Sequence, residues 1–133
     1  MKLFLVLLFA AFAYTAAVPA SEEEFIAAMK KMLPTQGSLR KNIEAKDVAA
    51  AQKDAAALEG IFKVSEDFWK ERKAQDAIDL SAQAKAGAAE IGKLAAAGEW
   101  DKIPDAQKKV AATCMACHNA HREKLPDGGY KIK

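Results

Sequence analysis

An all-α fold, built as an antiparallel four-helix bundle, is predicted by three features of the sequence. The strong helix formers Ala, Glu, Lys, Gln and Leu dominate and β-branched residues are scarce. No stretch alternates convincingly with period two, whereas apolar residues recur at helical spacing through four successive segments. The connections between those segments are short, which sets consecutive helices side by side at shallow crossing angles.

The first twenty of the 133 residues stand apart from this pattern. Lys2 precedes an apolar run from Leu3 to Tyr14, shorter than the ~20 residues a bilayer span needs. Val18 and Ala20 then supply small residues ahead of the acidic Ser21-Glu22-Glu23-Glu24. This predicts a secretory signal peptide over residues 1–20, cut after Ala20, and a periplasmic domain over residues 21–133 with no membrane span after cleavage. No cysteine lies near the cut, so no lipid anchor is expected. Loss of Lys2 lowers the formal net charge from +2 to +1, a balance that excludes strong nucleic-acid binding.

Ser21 is the expected N-cap of the first helix, with Glu22, Glu23 and Glu24 placed favourably against the macrodipole. Its inward stripe reads Phe25, Met29, Met32, Gln36, Leu39 and Ile43, with Pro34 as a kink. Asp47 is expected to cap a second helix carrying Val48, Ala51, Ala55, Leu58, Ile61 and Phe62, with a break near Ser65 to Trp69. The third runs from about Glu71 through Ile78, Ala82, Ala88, Ile91 and Leu94 and stops at Gly98. The fourth starts at Asp101 to Pro104, with Asp101 as cap, and continues to about Leu125, leaving Tyr130 to Lys133 as a loose tail. Residues 21–133 include 24 Ala, which remove little surface from water each, so the core is underfilled and something besides side chains is expected to occupy it.

One motif carries chemistry. Cys114-Met115-Ala116-Cys117-His118 is the C-x-x-C-H pattern of covalent c-type haem attachment: each thiol adds to one vinyl group and the adjacent imidazole becomes an iron ligand. The spacing suits both tasks, because Cys114 and Cys117 are neighbours across one helical turn and His118 follows directly. Zinc is a poor alternative, since the only cysteines and the only histidines, His118 and His121, lie within eight residues of one helix and cannot surround an ion tetrahedrally. A thioredoxin-like dithiol needs a preceding strand that the sequence lacks. A plain disulfide stays open to an exported chain.

The leader, the four helices and a C-x-x-C-H near the C-terminus, followed by Asn119-Ala120-His121-Arg122, together resemble the cytochrome c′ family, the class II c-type cytochromes. Phe68-Trp69 resembles that family's aromatic pair before the third helix, and Arg122 falls where it has a basic residue four positions after the haem histidine. The resemblance implies one covalent haem c with its iron held by His118, and a sixth ligand from the first helix in low-spin members. Met29-Lys30-Lys31 resembles the segment that carries that ligand, so Met29 is the expected one, with Met32 as the alternative and both as core filler as the plain reading. Arg122 is expected either to face a haem propionate or to be an exposed arginine. His121, on the same helix as His118, is expected at the surface or near a propionate. Trp69 and Trp100 read as packing groups, and Lys30-Lys31, Lys108-Lys109 and Lys131 to Lys133 as solvated surface.

The function these features imply is that of an electron carrier, not an enzyme, exchanging electrons with redox partner proteins whose identity the sequence does not give. The alternative is a high-spin, five-coordinate cytochrome c′ that binds small gases such as NO or CO. Homodimers are common in the resembling family through the first two helices, and the Ala-rich face of the second helix admits one here.

Overall fold

A computed structural model describes residues 20–133; the leader at residues 1–19, and with it all but the last residue of the expected signal peptide, lies outside the described residues. The described residues form four α-helices: α1 (Glu22–Glu44), α2 (Val48–Arg72), α3 (Gln75–Ala96) and α4 (Ile103–His121). None of them is long and apolar enough to cross a membrane.

The helix starts follow the side-chain chemistry of their caps. Ser21 Oγ accepts from the Glu24 N–H at 3.1 Å while the Glu24 carboxylate accepts from the Ser21 N–H at 2.8 Å, a reciprocal pair that satisfies two backbone donors. Asp47 accepts from the Ala50 N–H at 3.0 Å to open α2. Pro34 sits inside α1 without ending it.

Three boundaries differ from the sequence reading. The helix α2 runs through Ser65 to Trp69 and turns at Lys73, whose φ of 55° reverses the chain before α3. Ser65 does not break the helix because its buried hydroxyl is satisfied by that of Ser81 on α3, 2.8 Å away. Asp101 does not cap α4; Trp100–Lys102 forms a 3-10 turn that leads into it, with Pro104 in the first helical turn. The helix α4 ends at His121, four residues early, because Arg122 adopts an extended conformation and begins a strand. That strand, β1 (Arg122–Lys124), pairs antiparallel with β2 (Tyr130–Ile132), so the expected loose tail is instead half of a hairpin. Lys133 N–H closes it by donating to the His121 carbonyl at 2.9 Å.

α1 packs on α2, α2 on α3, and α3 on α4. Small residues let α2 and α3 approach closely: Ala51, Ala55, Ala77, Ala84 and Ala88 are buried, and a methyl group added at Gly92 would touch Ala55 Cβ at 3.4 Å. Large side chains are few, with Leu39, Leu58, Ile91 and Ile103 the biggest that are fully enclosed. Each such side chain contributes about 1.5–3 kcal/mol on burial. Between α2 and α3 the nearly buried Glu66 carboxylate accepts from Lys70 at 2.5 Å and from Lys85. A second apolar cluster of Phe25, Phe68, Trp69 and Ala77 ties the start of α1 to the end of α2.

Candidate functional site

The helices α1 and α4 are separated by a seam that holds two cavities. The larger, about 450 Å³, lies at the end where α1 begins and α4 finishes. Phe25, Ile26, Met29 and Lys30 of α1 form one wall, Cys117, His118 and His121 of α4 the opposite wall, and Trp69 belongs to its lining. Arg122, Tyr130, Lys131 and Ile132 of the hairpin also line it.

Each wall has a local cause. Phe25 stacks on Phe68 with ring centroids 4.2 Å apart and meets Trp69 edge-on at 5.7 Å, which fixes the first turns of α1. Arg72 strengthens the junction by donating to Glu22 at 2.6 Å. On the far side His121 packs against Trp69 at 4.6 Å between centroids, and its Nε2 lies 2.7 Å from Asp76 Oδ2. The start of α3 thus holds the end of α4 in place. Arg122 lays its guanidinium over the Tyr130 ring at 4.0 Å.

Of the residues singled out from sequence, Met29, Cys117, His118 and Arg122 come together on this cavity. Cys114 lies one turn back on α4, half-buried against the main core. Met32 also packs against that core and does not line the cavity. His121 is neither a bare surface group nor free: it is the Asp76 partner and part of the wall. Lys30 and Lys131, read as solvated, border the cavity. Trp100 is a half-buried packing group against the main core, as expected. Asp76, Phe25, Tyr130 and Ile132 were not singled out as site residues. Phe25 was legible as an inward position of α1, but the others arrive through pairings 45 residues apart or through the hairpin.

The titrating groups here are set by burial. Burial and then the nearby Arg122 charge hold the His118 imidazole below its ordinary pKa, so it is neutral at pH 7 with a lone pair free to donate to a metal. Burial pushes the Cys117 thiol up to about 11, with help from Cys114 and Asp76, and raises Cys114 as well. A redox dithiol works in the opposite sense, from a helix N-terminus that lowers a thiol pKa, whereas these cysteines occupy the last two turns of α4. The two sulfurs are not joined to each other in a disulfide. Trp69 is 2% exposed, and its Nε1–H is the one buried side-chain polar atom without a partner among the described residues. No family model matches the chain, and no curated protein or solved structure matches it either.

Proposed function

We propose that the chain is an exported, periplasmic monohaem c-type cytochrome that carries electrons, an antiparallel four-helix bundle with one haem c in the cavity between α1 and α4. The observation that supports this most is the convergence of Met29 from one wall and Cys117 and His118 from the other on a single cavity. Its volume falls within the ~300–1,000 Å³ typical of cofactor and small-molecule sites. Phe25, Ile26, Trp69 and Ile132 make an apolar lining, while Lys30, Arg122 and Lys131 place cations at the border, an arrangement suited to a flat apolar group with carboxylates on one edge. The unpartnered Trp69 Nε1–H is a donor that a bound acceptor would satisfy.

In this reading Cys114 and Cys117 would hold the group through thioether bonds, His118 and Met29 would ligate its iron, and Arg122 would pair with one of its carboxylates. When bound, the haem iron supplies reversible one-electron chemistry. Burial keeps the His118 imidazole deprotonated and ready to ligate. Met29 contributes a soft thioether, which favours the reduced iron. The aromatic cluster of Phe25, Phe68 and Trp69 excludes water from one side. The reading assigns no enzymatic step to the chain.

An optical spectrum of the oxidised protein tests it. A haem spectrum with the far-red band of a Met-to-iron charge transfer is the expected result. A haem spectrum without that band, together with free binding of carbon monoxide, would replace the Met29 ligand with an open site and select the gas-binding alternative. Protein without haem absorption would end the reading.

A further inference from the structure

Charge is divided unevenly along the two helices that face the seam. Between its acidic ends, Glu22 to Glu24 and Glu44, α1 carries Lys30, Lys31, Arg40 and Lys41; on the other side of the seam Lys108, paired with Asp105 at 3.5 Å, is followed by Lys109 and Arg122 with no further acidic residue between them. Over their full lengths α1 and α4 together hold six basic and five acidic residues, and α2 and α3 six basic and eight acidic, so the excess of cations is local to the middle of the seam. Among the residues that line the two seam cavities, the sole carboxylate is Glu22, and it is engaged by Arg72. Arg40 borders the second cavity, about 220 Å³, and among the described residues neither it nor Lys30 has a carboxylate partner.

The same seam exposes large apolar side chains. Leu33 is 79% exposed and Met115 59%, and both occupy helical positions in line with residues that line the cavities: Leu33 between Met29 and Gln36 on α1, Met115 between Ala111 and His118 on α4. Ile26, 40% exposed, continues the strip along α1. An apolar strip flanked by unpaired cations has the composition of an interface centre with a polar rim.

We propose that the α1–α4 seam is the docking face for a protein that presents an acidic surface around a protruding apolar segment. Charge complementarity sets the sign of the partner, and the smaller cavity beside Arg40, which the electron-carrier reading leaves open, sets its shape. A second copy of this chain would bring the same cations, Lys30 and Arg40, against themselves. The proposal deepens the electron-carrier reading by giving its partner's chemistry, and rests on that reading only for the claim that docking delivers electrons.

Isothermal titration with a purified flavodoxin, a small acidic redox protein, tests the face with the full exported chain. Binding is expected at low ionic strength and should weaken at least ~10-fold when physiological salt shortens the screening length to about 8 Å. Arg40→Glu and Leu33→Ser, exposed positions away from the larger cavity, should each weaken it several-fold, while the pair Lys53→Glu and Lys93→Glu on α2 and α3 should not. The proposal is overturned by no binding at low salt, or by equal weakening from the α2 and α3 pair. It is also overturned if phosphatidylglycerol vesicles bind through Arg40 and Leu33 where flavodoxin does not, or if Leu33→Ser abolishes a self-association of the chain. Heat, not colour, is the readout. Lost binding beside an intact haem spectrum therefore removes the docking face alone, and intact binding without haem removes the electron-carrier reading alone.

Discussion

Met29 and Met32 stand three residues apart on one helix and both pack half-buried against the main core, but only Met29 lines the cavity. Leu approximates Met in volume, so Met29→Leu removes the thioether for less than about 1.5 kcal/mol of stability. It should convert a low-spin absorption spectrum into a high-spin one and lower the reduction potential, whereas Met32→Leu should leave both unchanged; spectra and potentiometry on the two variants check this. A second residue-scale expectation concerns acid. The Lys70 and Lys85 hydrogen bonds hold the Glu66 carboxyl below its ordinary pKa of 4.5, and that stabilisation outweighs the opposing cost of burial. A carboxylate whose folded pKa is depressed contributes stability that is complete above 4.5 and lost as pH falls through the folded value. Glu66→Gln should therefore cost roughly 1–2 kcal/mol near neutrality and flatten stability against pH below 4.5, read by denaturant titration across that range. At this scale the sequence was most informative where chemistry is local: C-x-x-C-H is legible because its members are consecutive. Asp76 was not, because it reaches His121 across 45 residues of chain.

At Gly87, α3 comes close against α4. A Cβ added at Gly87 would lie 2.5 Å from Val110 Cγ2, and a β-branched valine has little room to move aside. Gly87→Ala should lose stability by about 1–3 kcal/mol despite the better helix propensity of alanine. Gly60→Ala, at an exposed α2 position with nothing within 4 Å, should gain about 0.5–1 kcal/mol from propensity. Thermal melts of the two variants should move in opposite directions. The capped starts of α1 and α2 were readable from Ser21 and Asp47, since caps are satisfied by residues within one turn. The end of α2 was not, because the Ser65 hydroxyl is satisfied by Ser81 on another helix. The hairpin was missed for a related reason: two three-residue strands are too short to show an alternating pattern, and their pairing depends on the turn at Gly128 with its φ of 86°.

For the molecule as a whole, the Ala-rich composition agrees with a core that encloses few large side chains, and the larger cavity lies between α1 and α4. What composition could not locate is which pair of helices stands apart, because that is decided by the aromatic junction of α1 with α2 and by the Asp76 hold on α4. The most direct test of the central claim is the mass of the mature protein recovered after export. The account expects a chain that begins at Ser21 and carries the added mass of one haem, retained through acid-acetone extraction and assigned by peptide mapping to Cys114 and Cys117. A chain recovered with both thiols unmodified, or joined to each other, would contradict it.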